Sequence, residues 1–263
     1  MSRQSAALNY SSYLHLDELL ETQQPRSDEH DELLFIVIHQ VYELWFKQIL
    51  HELGALQRRL EEDRGPRALH TLRRLLAILK TVVAQIDVLE TMTPRQFAGF
   101  RPRLESGSGF QSAQFRELEA VLGRRDPRVL RHHDQDERAR ARIAAAMERP
   151  ALFDSLLRYL AERGYDVPEG ELARDVTKPR EPSAEIQRVL LDAYRAEGEE
   201  AQVCERLVDL DEGLQEWRYR HVKMVERTIG DKVGTGGSPG AAYLRTTLFS
   251  PAFPDLWAIR NEM

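Results

Sequence analysis

Two histidines stand on the apolar faces of two long helical runs. In the run His30–Leu53, HDELLFIVIHQVYELWFKQILHEL, helical spacing puts Phe35, His39, Tyr42 and Phe46 on one face and Leu34, Ile38, Val41 and Trp45 on the stripe beside it. In a second run, Glu199–Ile229, the residues Leu207, Leu210, Leu214, Trp217, His221, Val225 and Thr228 share a face. A helix that is apolar around most of its circumference belongs in a core, and an imidazole buried there needs a partner or a task. Flanked by Trp217, Met224 and Val225, His221 would suit axial ligation of a flat apolar cofactor such as haem. The chain has no CxxCH, which excludes covalent c-type attachment. The plainer alternative, two hydrogen-bonded core histidines, stays open at this point.

Other residues carry weaker signals. Arg101 follows Phe97 and Phe100 in a short segment between helices; an arginine held by aromatic rings is suited to bidentate binding of a carboxylate, although a lone arginine is more often a surface residue. The loop Gly234–Gly240, GTGGSPG, lacks the lysine of a phosphate-binding P-loop and follows no strand, so it fits neither nucleotide motif. Its backbone N–H groups and the Thr235 hydroxyl could cradle an anion, or the loop could be a plain connector. His132 and His133 are adjacent in an Arg/Asp-rich stretch that reads as surface, and neighbouring helical residues point about 100° apart, which is poor geometry for one metal ion. Cys204 has no obvious base beside it and reads as an inert thiol.

These side chains must be placed by helices. Few stretches alternate as strands do, and Gly and Pro cluster between long periodic runs, so the fold class is all-α, a single helical domain over residues 1–263. The central helix is expected from an N-cap at Ser27 or Asp28 to about Glu62, the next from Pro66 to near Met92, and a short one after Thr93-Pro94. Ser112 caps a helix to Leu122, and two more follow at about Glu137–Met147 and Pro150–Arg163. Residues 164–182 read as a mobile connection, because they hold three prolines and two glycines. Helices then run from Ser183 to Ala196, over Glu199–Ile229 and around Ala241–Leu248, and the apolar tail FSPAFPDLWAIR packs down. Residues 1–27 form an arm with a short helix.

A net charge of −6 gives a nucleic-acid partner no electrostatic support. One cysteine forbids an internal disulfide, no purely apolar run reaches the ~18 residues of a membrane span, and the N-terminus lacks a signal-peptide core. The expectation is a cytoplasmic protein with no membrane and no nucleic-acid partner.

Taken together and in order, HDELLFIVIHQVYELWFKQILHEL (30–53), VLETMTP (88–94), FAGFR (97–101), SGFQSAQFRELE (108–119), WRYRHVKMVERTIG (217–230) and GTGGSPGAAYLR (234–245) resemble the tryptophan 2,3-dioxygenase family over essentially the whole chain. The resemblance implies a haem enzyme, with one b-type haem per subunit. It would insert both atoms of O2 across the indole C2–C3 bond of L-tryptophan to give N-formylkynurenine, the first step of tryptophan catabolism through kynurenine. It implies that His221 ligates the iron on the proximal side, with Trp217 packed nearby, and that distal His39 hydrogen-bonds the indole N–H. Phe35 and Phe97 would flank the ring, Arg101 would pair with the substrate carboxylate, Thr235 would bind substrate through its hydroxyl, and Ser108 and Gly109 would line the pocket beside the haem. Tyr10, Tyr13 and Leu14 would reach into a neighbouring subunit's site in a homotetramer, a dimer of dimers.

Four positions depart from the family pattern: Ile38 before the distal histidine, Phe97 where many bacterial members carry Tyr, Pro102 after Arg101, and Pro239 in place of the second Ser of GTGGSSG. Pro102 biases Arg101 toward an extended backbone. None removes a ligand. Two alternatives follow: a relative that mono-oxygenates a modified tryptophan or tyrosine in secondary metabolism, and a non-catalytic haem-binding sensor. Arg101, Thr235 and the SGFQS stretch speak against the sensor, which needs no amino-acid clamp.

Overall fold

The computed structural model describes residues 8–105, 107–235 and 240–263. Thirteen α-helices occur among them, and no strand. They are α1 (Tyr10–Leu14), α2 (Leu16–Leu20), α3 (His30–Glu61), α4 (Gly65–Leu89), α5 (Pro94–Phe100), α6 (Ala113–Val121), α7 (Glu137–Met147), α8 (Leu152–Glu162), α9 (Glu169–Leu172), α10 (Ala184–Arg195), α11 (Glu199–Ile229), α12 (Ala241–Arg245) and α13 (Pro254–Ala258). The all-α class read from the sequence is the observed one.

The long helices begin and end where local chemistry says they should, with one exception. Pro66 sits in the first turn of α4, Thr93 and Gln96 close a capping box on α5, and Ser112 and Ser183 cap α6 and α10 through their side chains. Gly230 ends α11 at φ 63°, a conformation that costs a Cβ-bearing residue dearly. The exception is the start of α3. Neither Ser27 nor Asp28 is its N-cap; Glu29 is, without a side-chain bond. Glu32 explains the shift: its buried carboxylate reaches back to accept from Arg26 N, Ser27 N and Ser27 Oγ, so the serine donates to the helix instead of capping it.

Helix α4 packs against both α3 and α11, and α8 lies on α3. Leu53, Leu56 and Leu60 of α3, Leu72, Leu75, Val82 and Ile86 of α4, and Leu207, Leu210 and Leu214 of α11 fill this core. By length and composition α3 could pass for a membrane span, a test that core helices also meet. What makes it a core helix is its partners: Tyr42 Oη donates to Val82 O of α4, and Gln114 of α6 donates to both the backbone and the side chain of Glu43. Its outer edge, Leu33, Val37 and Leu44, stays exposed.

The expected mobile connection 164–182 contains the single turn α9 and is pinned by Arg174 and Arg180, which both bind the buried carboxylate of Asp154 on α8. Cys204 is fully buried in α11, and burial pushes its thiol up to about 12, as an inert thiol requires. The tail packs down as predicted, with Phe253, Leu256 and Ile259 buried. Buried Asp211 of α11 holds the tail, accepting from Ala252 N, Phe253 N and Trp257 Nε1. Asp211→Ala strands three donors and is expected to cost about 3 kcal/mol, a fall in melting temperature of roughly 6–12 °C. A thermal melt of the variant against the parent protein checks it.

Candidate active site

The two histidines face one cavity. Its volume is about 240 Å³, and its lining is predominantly apolar. Helix α3 supplies Phe35, His39, Tyr42, Glu43 and Phe46; α11 supplies Trp217, Arg218, His221, Met224 and Val225. The segment after α5 contributes Arg101, Gly107, Ser108 and Gly109, and the loop after α11 contributes Gly234, Thr235 and Gly240. Every candidate from the main chain of argument (Phe35, His39, Phe97, Arg101, Ser108, Gly109, Trp217, His221 and Thr235) therefore lies on its wall. Tyr10, Tyr13 and Leu14 do not. They are 76%, 68% and 41% exposed on α1, away from the wall of their own chain.

His39 sits one turn after Phe35, its ring centroid 4.1 Å from the phenyl ring. Its Nδ1 lies 2.7 Å from Phe35 O. A carbonyl oxygen only accepts, so Nδ1 carries the proton and Nε2 presents a lone pair. Burial holds the ring below its usual pKa, against the opposing pull of the Phe35 carbonyl and Glu43. His39 is thus a neutral acceptor.

His221 is also neutral. Burial, then repulsion from His39 and Arg116, pushes its pKa down to about 4. The surface it retains faces the cavity rather than bulk solvent. Trp217 lies stacked on it, centroids 5.1 Å apart and planes within 8°. The stack fixes the ring plane and presents an uncharged imidazole, the state in which a histidine ligates metal.

These shifts have a consequence for stability. Unfolding returns His221 to a pKa near 6.5. Between about 4 and 6.5 the unfolded chain therefore binds a proton that the folded chain refuses. Folding stability of the ligand-free protein is expected to be fully present above that window and to fall as pH drops through it, by at most about 3 kcal/mol from this residue. His39 acts in the same direction. Urea titrations at pH 7 and pH 5 measure the difference, and His221→Phe should flatten it.

Two hydrogen bonds close the mouth. Arg101 Nη2 donates to Val233 O at 2.6 Å, and Thr235 Oγ1 donates to Gly107 O at 2.5 Å. Both tie the 101–111 segment to the 230–240 loop. At Gly240, φ is 62° and an added Cβ would meet Lys232 O at 2.6 Å, so the two ends of that loop can approach only with glycine there. Of GTGGSPG, residues 236–239, Pro239 included, lie outside the described residues. The expectation that Pro102 extends Arg101 is not met: Arg101 has φ −47° and ψ −40° and opens a 3₁₀ turn, Arg101–Leu104, in which Pro102 takes an early position. A 3₁₀ turn needs no N–H from that position, so the proline fits it.

Sequence reasoning missed part of the wall. Buried Glu119 binds Arg116 at 2.6 Å, Arg124 at 3.0 Å and Arg218 at 3.3 Å. Arg116 also lies over Phe110, 4.5 Å from the ring centroid. The i,i+3 spacing of Arg116 and Glu119 beside buried Leu118 was the available signal. Trp45 packs on the core and does not line the cavity; Phe46, Phe115 and Trp217 do. His133 is buried, not on the surface, and its Nε2 has no partner. No group of three metal-ligating side chains occurs among the described residues, so the His132–His133 pair has no companions for an ion.

Comparison with known proteins places the chain in a family. The profile of the family described as tryptophan 2,3-dioxygenase matches residues 1–200 and 193–263. A tryptophan 2,3-dioxygenase of Anaeromyxobacter sp. (strain K) is 69% identical over 262 residues, covering 100% of this chain and 98% of its own. The enzyme of the same name from Herpetosiphon aurantiacus is 58% identical over 98% of this chain and 100% of its own. That of Bordetella pertussis is 43% identical, over 97% and 91%. With relatives this similar aligned from end to end, the chain belongs to the tryptophan 2,3-dioxygenase family.

Proposed function

We propose that the protein is a haem-dependent dioxygenase that converts L-tryptophan and O2 to N-formylkynurenine. The observation that carries the reading is the pair of neutral histidines, from helices far apart in sequence, facing one apolar cavity with an arginine and a threonine hydroxyl at its mouth. The residues suit a haem. His221 offers an uncharged imidazole for the iron, Trp217 fixes its plane, and Phe46, Phe115 and Met224 offer apolar surface for a macrocycle. Ser108 and Gly109 line the same wall. When bound, the haem supplies the O2 chemistry that side chains lack.

The chain's own part is to bind and orient. Phe35 and Phe97, with centroids 5.8 Å apart, make a tilted pair for an indole to lie against. The lone pair on His39 Nε2 accepts the indole N–H, which fixes the ring's orientation without removing its proton. Arg101 uses one N–H on Val233 O and keeps the others for the substrate carboxylate. Thr235 gives its proton to Gly107 O, so its oxygen is left to accept from the substrate ammonium. The clasp between the two segments keeps water from the reacting carbons.

Exposed Tyr10, Tyr13 and Leu14, with the outer edge of α3, support assembly of a homotetramer in which the arm completes a neighbour's site. A cytoplasmic location follows from a soluble catabolic role.

The test is product analysis by mass spectrometry after incubation of haem-loaded protein with L-tryptophan and ¹⁸O₂. Both labelled atoms in N-formylkynurenine are expected. A product carrying a single labelled atom replaces the reading with a mono-oxygenase, and no product with full haem loading replaces it with a sensor.

A further inference from the structure

Behind the wall that carries Glu119 lies a second cavity, of about 380 Å³. Glu119, Arg218 and Thr247 face both cavities and form the partition. The second cavity is charged where the first is apolar. Five arginines line it, Arg124, Arg125, Arg174, Arg180 and Arg218, against three acids, Glu119, Asp126 and Asp154. That leaves two positive charges in excess, in a chain whose net charge is −6.

The acids are already committed. Glu119 is shared by Arg116, Arg124 and Arg218. Asp154 is shared by Arg174 and Arg180, and Arg180 also pairs with Glu171, which lies outside the lining. Asp126 is engaged by exposed Arg128, which does not line the cavity.

Arg125 is the anomaly. It is 7% exposed, yet its guanidinium meets only carbonyl oxygens, those of Val176, Ala120, Arg124 and Arg149, and no carboxylate lies within ion-pair distance among the described residues. A buried charge left without a counter-charge is costly. Arg180 adds a second deficit, because its buried Nε has no hydrogen-bond partner. Uncompensated charge, an unpartnered donor and a cavity thus coincide at one place, and each is a deficit that a bound anion would remove.

We propose that this cavity binds a small dianionic oxyanion, distinct from the amino-acid substrate, between Arg125 and Arg180. The local excess of positive charge favours a dianion, and planar guanidinium groups pair with phosphate and carboxylate oxygens alike. The shared chemistry is a compact pair of negative charges on oxygen, from inorganic phosphate or from a short dicarboxylate. The site needs no tryptophan turnover and stands whether or not the dioxygenase reading does.

Calorimetric titration of inorganic phosphate and, separately, malonate into the haem-loaded protein tests it, with ionic strength held constant by chloride. Saturable binding of at least one of the two, one per chain, is expected, with a melting temperature that rises with concentration as mass action requires. The anion that binds identifies the source. Arg125→Gln and Arg180→Gln should each weaken binding at least tenfold, while Arg73→Gln, an exposed arginine elsewhere, should leave it unchanged. Arg124→Gln, at a partly exposed position on the cavity wall, supplies the same comparison if Arg125→Gln does not fold. Absence of saturable binding by both anions, or binding that survives all the cavity substitutions, overturns the proposal.

Discussion

His221→Ala protein is expected to emerge from purification with its haem largely lost. Any that remains should lack the spectrum of an imidazole-ligated iron. His221 is the imidazole stacked on Trp217, and burial keeps it neutral at physiological pH, so it is the group that would hold the iron. Haem content by the pyridine haemochrome assay and the Soret position give the readout. Added imidazole should restore part of both, because the cavity left by the substitution matches the lost ring. Full haem retention with an unchanged spectrum would falsify the proximal assignment. His39→Ala makes the contrast: it should leave the haem in place and weaken tryptophan binding, because the proposed role of His39 is to accept the indole N–H and not to hold the iron.

The second large effect falls on binding. Arg101→Ala should leave haem bound and raise the Michaelis constant for L-tryptophan by roughly 30-fold to several thousand-fold, the equivalent of the 2–5 kcal/mol lost when one partner of a buried charge pair is removed. The same change deletes the bond to Val233 O, which loosens the mouth. Arg101→Lys separates the two contributions, since it keeps a charge but not the fork. It should recover part of the affinity and little of the clasp. Steady-state kinetics with L-tryptophan and with tryptamine, which has no carboxylate, complete the test. Tryptamine should be nearly indifferent to the loss of Arg101, and an equal penalty for both would place the carboxylate elsewhere.

Much of this architecture is legible in the chain. Helix α11 runs over the predicted residues because Gly198 and Gly230 bracket one uninterrupted periodic run. Phe35 and His39 share a wall because four residues make about one helical turn. What was hidden depends on side chains that contradict their type. Glu32 looks like a first-turn acid and is instead a buried acceptor for the turn before it. Arg116, Glu119, Arg125 and Arg218 are of types that usually stay solvated, yet the fold buries all four. Spacing reveals which residues share a face, but not whether an arginine on that face will find its acid a hundred positions away, as Arg218 finds Glu119. Arg101 is a milder case, where the tight turn that follows overrode the ordinary effect of a proline.

The partition of the site between α3 and α11 also sets a clock. At a synthesis rate of about 5–20 residues per second, the histidine on α3 is made within the first seconds and its counterpart on α11 roughly 10–45 s into translation. Until the later helix leaves the ribosome, Phe35, His39 and Phe46 lack the wall that α11 supplies, and only α4, α5, α6 and α8 can shelter the apolar face of α3. Cofactor loading is therefore a late event in biogenesis. A prematurely terminated chain ending before residue 199 would carry a pocket left open on the side that α11 closes.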